Sequence, residues 1–120
     1  MASYIEGSFK KKYSFESRKS ESDRIIQKYP DRIPIIVEQG KSTSIPSIDK
    51  QKYLVPKDLT VGQFCYVIRK RINLKPQDAL YVFFNGTLLP TASIISKLYE
   101  TNKDDDGFLY CIVNGESTFG

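Results

Sequence analysis

The stretch that decides the fold is residues 50–72, KQKYLVPKDLTVGQFCYVIRKRI, because it reads as a strand, a turn and a helix in succession. From Lys50 to Pro56, polar and apolar residues alternate with the period of two that is typical of a β-strand. Two lysines and a terminal proline indicate that this strand lies at the edge of a sheet. The alternation predicts three residues on each face: Lys50, Lys52 and Leu54 on one, and Gln51, Tyr53 and Val55 on the other.

A helix is predicted from Val61 to Ile72, directly after the strand. Thr60 and Gln63 have the spacing of a capping box, in which both side chains satisfy free backbone amides at the start of the helix. Three cations at residues 69–71 fall in the last turn, where they complement the negative end of the helix dipole. The helix carries one apolar stripe, formed by Val61, Phe64, Val67, Ile68 and Ile72.

Further strands are predicted on both sides of this unit. Arg32 to Glu38 is a β-branched run typical of a buried strand, although Pro34 removes one hydrogen-bond donor from it. Ala79 to Phe84 is an apolar strand, and the Asn85-Gly86 dipeptide after it favours a tight turn into a short returning strand. Phe108 to Val113 is the last predicted strand, and it follows an aspartate-rich turn.

Three more helices complete the prediction. Two precede the first strand, around Glu6 to Lys12 and from Phe15 to Lys28, with Ser14 as a cap between them, and the third covers Thr91 to Tyr99. The body is then strand, strand, helix, strand, short strand, helix, strand, an order that resembles the β-grasp of ubiquitin-like domains. We therefore expect an α+β fold with a mixed sheet. We expect one compact domain, made of a helical extension (residues 1–28) and a ubiquitin-like core with its tail (residues 29–120).

The composition argues against several classes of function. The 120-residue chain contains no histidine, so it lacks the usual general base at neutral pH and the commonest metal ligand. Cys65 and Cys111 are far apart, which favours free, buried thiols over a disulfide or a zinc site. The longest apolar run, Ala79 to Phe84, has six residues, against the ~20 that a membrane-spanning helix needs. We expect a cytoplasmic protein without catalysis, metal or cofactor.

Positive charge is concentrated at the start of the chain. The net charge is +4, from 18 basic and 14 acidic residues. Residues 1–28 hold seven of the basic residues and four of the acidic ones, an excess of three. Such an excess favours anionic membranes, acidic protein surfaces or nucleic acid, and by itself it does not choose among them.

Short stretches in a fixed order carry a family resemblance over about residues 5–120. They are Phe15-Glu16, Arg32-Ile33-Pro34, Ile48-Asp49-Lys50, Lys52-Tyr53-Leu54-Val55-Pro56, Asp58-Leu59-Thr60-Val61-Gly62-Gln63-Phe64, Ile68-Arg69-Lys70-Arg71-Ile72, Asp106-Gly107-Phe108-Leu109-Tyr110 and Phe119-Gly120. In this order they resemble the ubiquitin-like autophagy modifiers, the family that includes GABARAP and its fungal and protist relatives.

The resemblance implies a protein that is joined to a lipid through its C-terminal glycine. An E1-like enzyme would activate the Gly120 carboxylate, an E2-like enzyme would carry it as a thioester, and phosphatidylethanolamine would accept it. A cysteine protease would process the precursor and remove the lipid. Glycine suits this role because it has no side chain to obstruct a narrow catalytic channel. The expected locations are the cytoplasm and, after lipidation, the autophagosomal membrane.

The resemblance also implies binding of cargo receptors through short motifs with an aromatic residue, two variable residues and an aliphatic one. An extended peptide would add to the edge strand at Lys50 to Val55. The aromatic pocket would use Glu21, Ile25, Pro34, Ile36, Lys52, Leu54 and Phe108. The aliphatic pocket would use Tyr53, Val55, Pro56, Leu59, Phe64 and Val67. Arg32, Lys50, Lys52 and Arg71 would contact an acidic flank of the motif.

Some features depart from the family or stay open. Ser14 stands where proline is common, and Met1 to Tyr4 extend the chain beyond many relatives. Nothing follows Gly120 in this sequence, which leaves open whether the native chain is longer. Tyr81 and Phe83 align with aromatic residues linked to membrane activity in relatives, although packing is the simpler interpretation. Two alternatives remain beside a monomeric modifier: an interaction module without conjugation, and an RNA-binding protein, for which no recognition signature is present.

Overall fold

The computed structural model describes residues 7–40 and 45–116. These residues form one five-stranded sheet with the strand order β2-β1-β5-β3-β4. The helices are α1 (Ser8–Lys12), α2 (Phe15–Lys28), α3 (Val61–Arg71) and α4 (Ile95–Asn102). The strands are β1 (Arg32–Gln39), β2 (Lys52–Pro56), β3 (Tyr81–Phe84), β4 (Thr87–Leu88) and β5 (Leu109–Asn114). None of the helices in the described ranges is long and apolar enough to cross a bilayer.

The sheet is mixed, as the order of elements predicts. β1 and β5 lie parallel at its centre, with Ile36 opposite Tyr110, while β2 pairs antiparallel with β1 and β3 with β5. The turn from β3 to β4 has positive φ angles of 50° at Asn85 and 77° at Gly86, the conformation for which this dipeptide is suited. The α+β, ubiquitin-like fold is therefore confirmed.

Helices cover both faces of the sheet because the central strands carry apolar side chains on both faces. On one face, α3 contributes Val61, Phe64 and Ile68 to the main core, which they share with alternate residues of β1 such as Ile35 and Val37. On the other face lies a second, smaller group of buried residues that we call the outer cluster. Its members are Phe9, Ile25, Ile36, Phe108 and Tyr110, with Leu54 packed against them.

The capping box predicted for α3 is confirmed. Thr60 Oγ1 accepts a hydrogen bond from the Gln63 backbone N–H at 3.1 Å, and Gln63 Oε1 accepts one from the Thr60 backbone N–H at 2.9 Å. The cap predicted for α2 is also present, because Ser14 Oγ accepts from the Ser17 backbone N–H at 3.1 Å. The first predicted helix begins at Ser8, and Glu6 lies outside the described residues.

The helix predicted over Thr91 to Tyr99 forms instead at Ile95–Asn102. Residues 91–94 are held by α3, because the backbone oxygens of Thr91 and Ser93 accept hydrogen bonds from the first amides of α3, each at 2.9 Å. Because of these tertiary bonds, α4 begins later along the chain than predicted. The same bonds supply acceptors for the free backbone N–H groups at the start of α3, and no local sequence pattern indicates those acceptors.

The entry to β2 differs from the alternation predicted for it. The strand begins at Lys52, not at Lys50. Gln51 does not share the face of Tyr53 and Val55: its side-chain amide donates to Ser8 Oγ at 2.8 Å, on the side of α1. Lys50 does not share the face of Lys52 and Leu54 either, because its ammonium lies over the Tyr53 ring at 4.7 Å from the centroid. Since Gln51 and Lys50 both precede the regular strand, the alternation does not fix their side chains.

Candidate functional site

One edge of the sheet is formed by β2, which has β1 as its only neighbour among residues 7–40 and 45–116. The Val37 backbone N–H donates to the Gln51 oxygen at 2.8 Å, so the backbone groups of alternate residues from Gln51 onward point toward β1. The backbone N–H and C=O groups of Lys52 and Leu54 consequently point away from β1, toward the open edge. In agreement, Arg32 Nη1 donates to the outward-facing Leu54 oxygen at 3.3 Å.

Pro34 is compatible with this edge although it has no backbone N–H. It lies opposite Leu54 in the β1–β2 register. The Val37 bond to Gln51 puts alternate residues of β1 in hydrogen-bonded positions toward β2, and Pro34 falls between them. The proline therefore removes no hydrogen bond from the β1–β2 ladder.

The residues predicted for the aromatic pocket lie together on the face covered by α1 and α2. Ile25, Ile36 and Phe108 are between 0% and 1% exposed and belong to the outer cluster. Pro34 is also buried, and Leu54 is half-buried against the cluster. They supply an apolar floor beside the open edge of β2.

An ion pair between Lys52 and Glu21 lies at the rim of this apolar floor. Lys52 Nζ lies 2.5 Å from Glu21 Oε2, which also accepts from Arg24 Nη2 at 2.9 Å. These hydrogen bonds, from Arg24 and from Lys52, lower the pKa of the Glu21 carboxyl. An ion pair thus connects α2 to β2 above the apolar floor.

The residues predicted for the aliphatic pocket lie on the opposite face of the sheet, beside α3. Tyr53, Val55 and Phe64 are buried in the main core, and the Tyr53 and Phe64 rings meet edge to face with centroids 5.8 Å apart. Within the described chain the Tyr53 hydroxyl is buried without a hydrogen-bond partner, and burial raises its pKa. The surface-accessible members are Pro56, Leu59 and Val67.

The cations predicted to contact an acidic flank each have a partner in the free protein. Lys50 Nζ lies over the Tyr53 ring at 4.7 Å from its centroid, and Arg71 Nη2 lies 3.2 Å from Asp49 Oδ2. Arg32 contacts the Leu54 oxygen, as described above. All three cations are exposed, so these contacts are weak in water and exchangeable.

A buried polar network that sequence reasoning did not assign attaches α2 to the turn before β5. Asp106, which is 0% exposed, accepts from Arg18 Nε at 2.8 Å, from the Tyr110 hydroxyl at 2.6 Å and from the Phe108 backbone N–H at 2.9 Å. The Ser22 hydroxyl donates to the Asp106 backbone oxygen. Burial and the bond to Asp106 raise the pKa of Tyr110 strongly. The available signal was the helical spacing of Arg18, Ser22 and Ile25.

A second unassigned group is Glu38, which is 5% exposed on β1. Its Oε2 accepts from the Phe9 backbone N–H at 3.1 Å, so the carboxylate holds the first turn of α1 against the sheet. Its Oε1 has no hydrogen-bond partner within the described residues, and burial raises the pKa of the carboxyl. Nothing in its sequence position, at the end of a β-branched run, indicated this role.

The remaining predicted residues do not join the edge site. Both cysteines are free as predicted, but only Cys111 is buried and Cys65 is half-buried. Burial raises the pKa of both thiols, as expected for thiols without activation. Tyr81 is half-buried and Phe83 is 4% exposed, so packing accounts for Phe83. Gly120, the predicted conjugation residue, lies outside the described residues.

The chain matches a known protein family over most of its length. Residues 17–120 match the family described as "Autophagy protein Atg8 ubiquitin like". The chain belongs to the Atg8 family. It is therefore a ubiquitin-like autophagy modifier and not an enzyme.

Relatives within the Atg8 family match over almost the whole chain. Autophagy-related protein 8 of Mycosarcoma maydis is 58% identical over 116 residues, covering 97% of this chain and 98% of its own length. Autophagy-related protein 8A of Oryza sativa subsp. indica is 60% identical over 113 residues, covering 94% and 95%.

Solved Atg8 structures have the same fold. The crystal structure of Trypanosoma brucei ATG8 matches with a TM-score of 0.89 and 44% identity, covering 97% of this chain and 100% of that one. Plasmodium falciparum Atg8, in complex with a P. falciparum Atg3 peptide, matches with a TM-score of 0.85 and 36% identity, covering 92% and 97%.

Proposed function

We propose that this modifier binds short segments of partner proteins along the open edge of β2 and is joined to phosphatidylethanolamine through Gly120. The observation that carries the binding proposal is the position of two apolar groups on opposite faces of the sheet at one open edge. The outer cluster with Leu54 lies on one face, and Tyr53, Val55 and Phe64 lie on the other. The accessible backbone groups of Lys52 and Leu54 lie between the two faces.

The spacing of the expected motif fits these two faces. In an extended strand, side chains three residues apart point in opposite directions. The aromatic residue of an aromatic-x-x-aliphatic segment would therefore enter the side covered by α1 and α2, and the aliphatic residue would enter the side of α3. Backbone hydrogen bonds to Lys52 and Leu54 supply affinity without depending on the sequence of the segment.

The bound strand would replace one contact of the free edge and pack beside another. Its backbone would compete with Arg32 for the Leu54 oxygen, and an aromatic ring would pack beneath the Lys52–Glu21 ion pair at the rim. The Arg32 contact involves an exposed cation and costs little to exchange. Acidic residues beside the motif would then pair with Arg32, Lys50 and Arg71, which raises the association rate more than the affinity.

The conjugation proposal rests on family membership and on the match that extends to residue 120. The partners would be E1-like and E2-like enzymes, a cysteine protease, and cargo receptors with short motifs. The Atg3 peptide in the P. falciparum complex supports an E2-like partner. The protein would be cytoplasmic before conjugation and on autophagosomal membranes after it.

Binding is tested with a fluorescent aromatic-x-x-aliphatic peptide. Leu54→Ala is expected to weaken binding about tenfold, because it removes apolar surface from the aromatic side at little risk to the main core. The matched control is Leu88→Ala on β4, where the leucine is 43% exposed and distant from β2 in the sheet order. Equal affinities for both variants and the wild-type protein would contradict the assignment of the edge.

Conjugation is tested by incubating the protein with the two enzymes, ATP and phosphatidylethanolamine vesicles. Mass spectrometry is expected to find one lipid on Gly120, and deletion of Gly120 should abolish the adduct while peptide affinity is retained. Absence of any adduct, under conditions that conjugate a known relative, would favour the alternative of an interaction module without conjugation.

A further inference from the structure

A groove of about 530 Å³ lies between α1, α2 and the start of β2. We call it the side groove. Glu21 and Lys52 line it and also belong to the predicted aromatic pocket, so the two spaces are continuous. We propose that the side groove binds the side chain two residues before the motif's aromatic residue and selects tyrosine at that position. This inference rests on the proposed function.

The position follows from the direction of the added strand. The predicted aromatic pocket uses Lys52 and Leu54, whereas the aliphatic pocket uses Val55 and Pro56, which lie farther along β2. A segment that meets the aromatic pocket first therefore runs parallel to β2, and its preceding residues lie beside Gln51, which lines the side groove. Residues two apart in a strand share a face at a separation of about 6.6 Å, so the second residue before the aromatic points into the groove.

One wall of the side groove is aromatic. The Phe9 and Tyr13 rings lie with centroids 5.0 Å apart and planes tilted by 53°. Phe9 is buried in the outer cluster. Tyr13 is 39% exposed, and the Lys12 ammonium lies over its ring at 5.6 Å from the centroid, so a ligand contacts the part of the ring that Lys12 and Phe9 leave open. An incoming aromatic ring gains edge-to-face contacts here that an aliphatic or charged side chain does not gain.

Neutral polar side chains from α2 and the start of β2 also line the side groove. Ser17 and Ser20 lie three residues apart on α2 and therefore on one face of the helix. Gln51 adds a side-chain amide, which is bonded to Ser8 Oγ at 2.8 Å. A phenol hydroxyl both donates and accepts hydrogen bonds, so it can pair with serine hydroxyls in either direction.

The charged groups of the side groove are already compensated. Arg18 is 8% exposed and bonded to Asp106 at 2.8 Å, and Glu21 is paired with Lys52. A carboxylate entering the groove would approach Glu21 without meeting an unpaired cation among the lining residues. Acidic residues of the flank are better placed at alternate positions, facing Lys50 on the other side of the sheet, where its ammonium lies over Tyr53. The groove thus favours a neutral aromatic residue with a hydroxyl group.

The test uses three peptides with the same aromatic-x-x-aliphatic core and tyrosine, aspartate or alanine two residues before the aromatic. By calorimetry, the tyrosine peptide should bind about two- to tenfold more tightly than the alanine peptide. That gain should persist at high salt, where a charge effect would fade. Tyr13→Ala should abolish the gain and leave the alanine peptide's affinity unchanged. Tyr29→Ala is the matched control, because Tyr29 is 38% exposed at the far end of α2.

The outcomes separate this inference from the proposed function. If the alanine peptide binds and tyrosine adds nothing, or if Tyr13→Ala leaves the gain intact, the side groove is not the subsite. If the aspartate peptide binds most tightly, the groove reads charge and the assignment to tyrosine is wrong. If none of the three peptides binds, the proposed function fails and this inference fails with it.

Discussion

Replacing Asp106 by alanine is expected to destabilise the protein by about 3–5 kcal/mol, because removal of one partner of a buried ion pair leaves the other charge uncompensated. The Asp106 side chain is 0% exposed and accepts hydrogen bonds from Arg18, Tyr110 and the Phe108 backbone. In the variant, the Arg18 guanidinium keeps a bond to the Tyr13 oxygen at 2.7 Å but loses its only carboxylate partner in the described chain. Burial of Arg18 at 8% exposure limits rescue by water.

The assay is urea unfolding at pH 7, followed by far-UV circular dichroism. With a slope of about 1.5–2 kcal/mol per molar urea for a chain of this size, the midpoint should fall by about 1.5–3 M. The control is Asp23→Ala, which breaks the Lys19–Asp23 pair of 2.6 Å on the exposed side of the same helix. That change should cost less than about 0.5 kcal/mol.

A second substitution distinguishes a lost ion pair from general disruption. Adding Arg18→Met to Asp106→Ala removes the uncompensated charge, so the double variant should be more stable than Asp106→Ala alone. A loss below about 1 kcal/mol for Asp106→Ala, or a double variant that is no more stable than the single one, would refute this reasoning about the network.

Three further changes test other features. Thr60→Ala removes the capping box of α3 and should cost about 1 kcal/mol in urea unfolding, with no change in slope. Gly107→Ala should cost more than about 1 kcal/mol, because the residue has a φ of 91° and an added methyl group would collide with the Ser22 hydroxyl; an unchanged midpoint would contradict this. Glu38 has a folded pKa above its ordinary value of 4.5, so the folded state binds more protons than the unfolded state and stability falls as pH rises from 4.5 through the raised pKa. Glu38→Gln should remove the part of this pH dependence that Glu38 causes. If the free energies of unfolding of both proteins, measured with urea, change equally with pH across this range, the prediction is wrong.

Much of the fold could be predicted because local patterns and tertiary packing agree. The alternation in β2 placed Tyr53 and Val55 on the face that the structure buries. The apolar stripe of α3 identified Phe64 and Ile68, both fully buried, whereas Val67, predicted in the same stripe, is 38% exposed. These predictions succeed because burial of one face is what makes such periodic patterns stable.

The errors occur where a distant partner replaces a local one. α4 begins at Ile95 because the backbone oxygens of Thr91 and Ser93 bond to α3. Gln51 turns toward Ser8 because it lies before the regular strand. Hydrogen bonds between residues far apart in the chain leave no periodic trace in the sequence, so they can be found only once the elements are packed together.

The sequence by itself determined the order of the elements, their caps and turns and the family, because these depend on residues that are neighbours in the chain. Tertiary structure alone decided which charges are buried together. Arg18 and Asp106 are 88 residues apart in sequence and 2.8 Å apart in the structure, and Glu38 meets α1 across 29 residues. The side groove exists only because α1, α2 and the start of β2 converge. Burial stabilises or destabilises the charged form of a side chain according to the charges and hydrogen-bond partners around it. Those surroundings form only when the chain folds.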